Sequence, residues 1–127
     1  MVSKGFKAMI AEANAAIPRI SVEDARQRLD AGDAVFVDVR ESREVSSGVI
    51  PGAVLAPRGF LEFVADPEGP MHNPELASGK TLIVYCASGG RSALAGMTLQ
   101  EMGLNNVINL AGGMAAWRQA DGPIERS

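Results

Sequence analysis

The chain has 127 residues, a single cysteine and a net charge of −3, with 12 basic against 15 acidic side chains. That length suits one domain with one core, able to bury roughly two thirds of its unfolded surface without metal or disulfide staples. Scattered Lys and Arg argue against a nucleic-acid footprint or a polybasic membrane patch, and the lone Cys86 beside the single His72 excludes an internal disulfide and the usual zinc ligand sets.

Partners are therefore expected among small molecules or proteins, with no cofactor and no metal. At the N-terminus Ser3 is placed to cap a first helix that runs to about Ala16 and is stopped by Pro18. The segment AMIAEANAAI is apolar, but Glu12 and Asn14 interrupt it before a signal-peptide core forms, so it reads as an amphipathic helix of a cytoplasmic protein. Residues 1–18 are expected to form an arm packed from outside on a domain spanning 19–127. No stretch nears the roughly 20 apolar residues of a membrane span.

After an extended piece at Arg19 and Ile20, SVED places Ser21 as the cap of a second helix, with Val22, Ala25 and Leu29 on one face and Gly32 closing it. AVFVD (34–38) and LIVY (82–85) are apolar throughout and suit a sheet covered on both sides; VIN (107–109) is a weaker third strand. Helical patterns lie at about 59–65 and 92–102, the latter expected to turn Leu94, Met97 and Met102 inward and to end at Gly103. Residues 66–79 are too rich in Pro and Gly to be regular. Strands alternating with helices predict an α/β domain with a mainly parallel sheet.

Ligands of such sheets bind beyond the carboxyl ends of the strands, which is where Cys86 sits. Taken alone, a Cys after a strand is more often a small buried hydrophobe. The next residues, Ala87, Ser88, Gly89 and Gly90, change that reading, because their small side chains leave backbone N–H groups free to curl inward as an anion nest. The helix that follows turns its positive end to the same spot, and Arg91 adds a charge. All three favour a thiolate over the free thiol's pKa of about 8.5. Arg91 would bind an anionic ligand or fix the loop, and Asp38, at the end of its own strand, is expected to pair with it. Arg40 either contacts the pocket or pairs with Glu44 four residues on. Ser88 is read as a loop contact, and Ser92 as a hydroxyl donor to sulfur or a helix cap. Arg58 and His72 are candidates for the pocket rim, while Trp117 and the methionines are assigned to packing.

CASGGR (86–91) resembles, as a Cys-x4-Arg pattern, the active-site loop of the rhodanese homology domain. VDVRE (37–41) is similar to that family's aspartate-arginine segment, GVIPGAV (48–54) to its Gly-x-Ile-Pro-Gly-Ala motif, and LAGGMAAW (110–117) to its Gly-Gly-x-x-x-Trp motif. Val49 departs from the pattern where the family commonly carries a structural His. The resemblance covers about residues 19–123. It implies a rhodanese-like fold, a five-stranded mainly parallel sheet flanked by helices on both faces, and sulfur transfer through a Cys86 persulfide. The donor would be thiosulfate or a persulfide and the acceptor a thiol, a protein or cyanide. A cysteine phosphatase or arsenate reductase is the enzymatic rival, but it generally uses Cys-x5-Arg; a binding or redox-sensing module without turnover is the other.

Overall fold

Ala34–Asp38 forms strand β2, whose side chains alternate between two covered faces: Val35 and Val37 enter one apolar cluster with Leu82, Val84 and Leu99, while Phe36 joins Ile83, Tyr85, Met114 and Trp117 in another. In a computed structural model describing residues 2–126, five strands line up in the order β1-β5-β4-β2-β3. The others are β1 (Arg19–Ile20), β3 (Val54–Leu55), β4 (Thr81–Tyr85) and β5 (Val107–Leu110). Every neighbouring pair is parallel. The single core expected from length is thus divided by the sheet into two clusters, because strands apolar on both sides demand cover on both sides.

Helices α1 (Phe6–Ala16), α2 (Val22–Ala31), α3 (Ser42–Val45), α4 (Leu61–Ala65), α5 (Gly90–Glu101) and α6 (Gly113–Gln119) complete the chain. The amide of Asp24 donates to the Ser21 hydroxyl at 3.1 Å, as SVED predicts, and Gly32 closes α2. Ser3 does not cap α1: the helix begins at Phe6 with Gly5 as its cap residue and no side-chain bond, so Ser3 lies outside the first turn. Residues 66–79 are irregular apart from a short 3-10 turn, Pro74–Ala77, that buries Leu76.

The inward face of α5 also differs from expectation. Ser92, Ala93, Ala95, Gly96 and Leu99 are buried, whereas Leu94 and Met97 are half-buried and Met102 is 40% exposed. Small residues let α5 settle close to the sheet and to α1: a methyl added at Gly96 would stand 3.3 Å from Ile17 and 3.4 Å from Val107. The large residues are displaced to the flanks. Beyond the helix, Gly103 donates to the Gln100 carbonyl and Leu104 to that of Leu99, a paired closure that satisfies the last turn.

Trp117 is fully buried, its indole N–H donating to the Pro123 carbonyl at 2.8 Å and its ring meeting Phe36 edge-on at 5.8 Å. Its assignment to packing holds.

Candidate functional site

Cys86 follows β4 directly and is 1% exposed. Its sulfur accepts the Gly89 N–H at 3.1 Å and stands 3.4 Å from the Ser92 hydroxyl. The loop can aim amides inward because its carbonyls are tied off elsewhere: Met114 and Ala115, at the start of α6, donate to the carbonyls of Cys86 and Ala87 at 2.8 and 3.0 Å. This lock needs a glycine. A methyl on Gly113 would come within 2.5 Å of the Cys86 carbonyl oxygen, and its φ of +58° lies in the left-handed region. Gly89, with φ +115°, makes the turn that brings its own N–H onto sulfur.

Burial pushes the Cys86 thiol up, but the Ser92 hydroxyl and the amides of Ser92, Gly89 and Ser88 pull it down further, leaving it below the ordinary thiol value. Of the loop read from ASGG, the Gly89 amide reaches the sulfur. Ala87 is half-buried, Ser88 exposed, Gly90 half-buried, and Ser92 wholly buried beneath the sulfur. Ser88, Gly89 and Gly90 border a cavity of about 200 Å³ together with Arg19, Asn109 and, from α1, Ile10.

Arg91 does not meet Asp38. It forms a two-pronged ion pair with Glu44, Nη1 to Oε1 at 2.7 Å and Nη2 to Oε2 at 2.8 Å. The Arg91 bond, together with the Glu41 backbone N–H that Glu44 also accepts, lowers the Glu44 carboxyl from 4.5 to about 2, and Glu44 in turn raises Arg91. Asp38 is turned away because it shares the parity of Phe36, on the sheet face opposite that of the cluster holding Cys86. There it clasps Arg40: Nη2 donates to Oδ2 at 2.8 Å, Nε to Oδ1 at 3.1 Å and the Arg40 amide to Oδ1 at 2.9 Å.

Neither alternative left open for Arg40 describes it: it does not border the loop cavity, and its ion pair is with Asp38 rather than the Glu44 carboxylate. It is buried, and it meets Glu44 through the backbone carbonyl at 3.4 Å while also donating to the Gly48 carbonyl at 2.8 Å. Burial lowers the Arg40 pKa, but the Asp38 carboxylate more than reverses this. The Tyr85 hydroxyl accepts the Ile50 N–H at 3.1 Å, so this cluster pins residues 48–50 to the sheet.

The two rim candidates lie elsewhere. Arg58 donates to Glu62 at 3.0 Å and Thr98 at 3.1 Å, lining a separate cavity with Leu94 and Glu101. The His72 ring contacts the Val64 carbonyl at 3.2 Å, and neither residue borders the loop cavity. Reasoning from sequence missed Glu44 as the partner of Arg91, and it missed Asn109, whose carboxamide bonds Ser92 and Gly89. A polar Asn inside the apolar run VINL was the available signal, since a buried amide demands partners. Among the described residues no group of three or more His, Cys, Asp or Glu is poised to hold a metal, and no helix is long and apolar enough to cross a membrane.

A five-stranded parallel sheet covered by helices, with a thiol and an inward amide at the carboxyl end of a central strand, defines an α/β domain of the rhodanese-like kind. Residues 21–120 match the Rhodanese-like domain model, and the chain belongs to that family. It is 33% identical over 109 residues to a sulfurtransferase of Allochromatium vinosum, covering 85% of this chain and 94% of that one. A structure from Rhodopseudomonas palustris, described as a protein of unknown function and possible tyrosine phosphatase, is 44% identical with a TM-score of 0.93, covering 98% of this chain and 97% of that one. The polysulfide-sulfur transferase homodimer of Wolinella succinogenes is similar at 31% identity and TM-score 0.73, with 94% and 86% covered.

Proposed function

We propose that Cys86 carries a sulfane sulfur as a persulfide, and that the protein moves it from thiosulfate or a persulfide donor to a thiol or protein acceptor, with cyanide as an acceptor in assays. The observation that carries this reading is the Cys86 sulfur accepting the Gly89 amide at 3.1 Å inside a loop whose carbonyls are held away by α6. A thiolate lone pair forms a bond to the outer sulfur of thiosulfate while the bond to the sulfite sulfur breaks, and sulfite leaves with that electron pair. An acceptor thiolate then attacks the outer sulfur, and Cys86 leaves again as a thiolate.

Inward amides stabilise the charge at each stage. Arg91, held by Glu44, supplies positive potential at the loop's end for an anionic donor. A free thiol that must stay reduced between turnovers suits the cytoplasm, and residues 1–18 serve as an arm on the domain at 19–127. Mass spectrometry of the intact protein after thiosulfate should find one added sulfur on Cys86, removable by cyanide and absent in Cys86→Ser. An unmodified Cys86, or an active Ser variant, overturns the reading.

The description of the Rhodopseudomonas palustris protein keeps a second reading, phosphate-ester hydrolysis, in view. Four residues separate Cys86 from Arg91, one fewer than in Cys-x5-Arg loops, and a smaller ring of amides favours one sulfur atom over a phosphoryl group. Efficient hydrolysis of an aryl phosphate would reverse that preference.

A further inference from the structure

Asn109 interrupts the apolar strand β5 and is 2% exposed. Its Nδ2 donates to the Gly89 carbonyl at 3.1 Å. That carbonyl only accepts, so the bond fixes which end of the amide faces the other way: Oδ1 points at Ser92, whose hydroxyl donates to it at 2.6 Å. The same hydroxyl lies 3.4 Å from the Cys86 sulfur and 3.2 Å from the Gly89 carbonyl, but that carbonyl already accepts the Ala93 N–H and Asn109 Nδ2, which leaves Asn109 Oδ1 and the sulfur as the two acceptors in competition. A hydroxyl carries one proton and cannot serve both acceptors at once. In the thiol state the chain is complete with the Cys86 S–H directed at Ser92 Oγ and the Ser92 O–H at Asn109. The thiolate needs the reverse, with the Ser92 proton on sulfur.

We propose that Asn109 is a positioning residue that acts through Ser92: its carboxamide oxygen competes with Cys86 for the Ser92 hydroxyl proton, holding it while Cys86 is a thiol and ceding it when Cys86 becomes a thiolate. The thiol proton leaves to solvent, and the Ser92 hydroxyl turns about its Cβ–Oγ bond without breaking any covalent bond. Once Sγ is bonded to a sulfane sulfur it is no longer the anion, and the hydroxyl returns to Asn109. The inference rests on the reading of Cys86 as the sulfur carrier, yet it concerns only ionisation, so it is measured without any sulfur transfer.

Other charges around the thiol are Arg91 of α5, which acts on it through space and is paired with Glu44 of α3, with Glu41 behind; the Asp38–Arg40 pair beyond β2; and Arg19 of β1, which shares the loop cavity with Asn109. From α1, Ile10 and Asn14 face that cavity, and α6 presents the amides of Met114 and Ala115 to the loop. These groups stay in place in the variants below; Asn109→Leu also removes the Nδ2 bond to the Gly89 carbonyl, and the Ser92→Ala background separates that change from the competition for the hydroxyl proton.

The test is the pH profile of Cys86 alkylation by iodoacetamide on the full chain. Asn109→Leu frees the Ser92 proton for sulfur, so the midpoint should fall and the rate below it should rise roughly tenfold, the scale of one hydrogen bond to a charged group. In a Ser92→Ala background the same substitution should leave the midpoint where Ser92→Ala puts it. A midpoint that rises or stays put in Asn109→Leu, or an equal shift with and without Ser92, overturns the proposal. Should Asn109→Leu fail to fold, the wild type decides: the Asn109 side-chain carbonyl carbon should titrate in NMR with the Cys86 midpoint and lose that inflection in Ser92→Ala. No inflection in the wild type overturns it. A normal alkylation profile in a protein that never forms a persulfide would fault the functional reading and not this one.

Discussion

Glu44 and Arg91, 47 residues apart in sequence, meet as a two-pronged ion pair at 2.7 and 2.8 Å and tie the helix after β2 to the loop after β4. Glu44 is itself held, because its Oε1 also accepts the Glu41 backbone N–H at 3.0 Å as part of a capping box. The guanidinium plane is therefore set by a carboxylate that cannot swing away. Lys has one compact charge and cannot reproduce that fork. Arg91→Lys should cut sulfur transfer strongly. Glu44→Gln should do damage that is not additive with it, as expected of two groups acting as one unit. Steady-state turnover of the two single variants and the double checks this, and independent effects would mean that the pair does not position the loop.

The same pair sets an acid-dependent stability. Glu44 has its folded-state carboxyl pKa depressed from 4.5 to about 2, first by Arg91 and then by the Glu41 backbone bond. A depressed carboxyl stabilises the fold above its unfolded value, and that contribution drains away as pH falls through the folded value. With side-chain exposures of 39% for Arg91 and 29% for Glu44, solvent limits the pair to about 1 kcal/mol. Urea unfolding should find Glu44→Gln less stable than wild type by about that amount near neutrality. The gap should close between pH 4.5 and about 2. A gap unchanged across that window would remove the ion pair as its source.

Asp38 and Arg40 carry a heavier structural load. Their side chains are 0% and 4% exposed, and breaking such a pair leaves a charge buried without compensation. Asp38→Asn should cost about 3–5 kcal/mol in chemical denaturation, chiefly by loosening residues 48–50 from the sheet. On activity its effect should nearly add to that of Arg91→Lys, because Asp38 reaches Arg91 only at one remove, through Arg40 and its long 3.4 Å bond to the Glu44 backbone carbonyl. Strong coupling in that double variant would bring back a direct link between them.

How far the fold could be read from sequence follows from how local each signal was. β2, β4 and the Ser21 cap are written in contiguous residues, and they appear where the apolar runs and the SVED pattern put them. β3, two residues long, and α3, four residues long, have too little sequence for any periodicity to register. Met102 departs from its expected inward place because helical spacing alone does not reveal that Ala95 and Gly96 bring α5 too close to the sheet for a large side chain. At the site, the inward amides were legible because Gly and Ser announce them. The partner of Arg91 was not, because the choice between Asp38 and Glu44 depends on which sheet face each occupies. Strand parity, seen only once β2 and β4 are in register, decides it.

Gly113 links the loop to α6 at closest approach. A methyl there would stand 2.5 Å from the Cys86 carbonyl oxygen and 2.9 Å from the Ala87 carbonyl, backbone that cannot rotate aside. Gly113→Ala should therefore push the loop off its Met114 and Ala115 donors, letting carbonyls turn toward the sulfur. The alkylation midpoint of Cys86 should rise and sulfur transfer should fall, while circular dichroism still reports a folded chain. An unchanged midpoint in the folded variant would mean that the α6 amides are not what aims the loop.

Loop length is the remaining determinant, and a single change separates sulfur chemistry from phosphate chemistry: one glycine inserted between Ser88 and Gly89. Every side chain at the site stays, including Cys86, Ser92, Arg91 and its Glu44 partner, and the carbonyls of Cys86 and Ala87 keep their α6 donors, since these lie before the insertion. What changes is the segment that delivers the Gly89 N–H to sulfur at 3.1 Å. Adding a residue moves that donor by up to about 3.5 Å, the length of one extended residue, and a preorganised donor loses most of its value within an ångström of displacement. The widened ring also offers more amides to a tetrahedral anion. Sulfur transfer from thiosulfate should drop by about a hundredfold to a thousandfold, in line with the loss of one charge-stabilising donor, and vanadate or phosphate should bind more tightly than to the wild type. Turnover with thiosulfate and hydrolysis of an aryl phosphate, measured on both proteins after circular dichroism confirms the fold, give the answer. Sulfur transfer that survives the insertion, or an aryl phosphatase activity already present in the wild type, would show that the size of the amide ring does not choose the substrate.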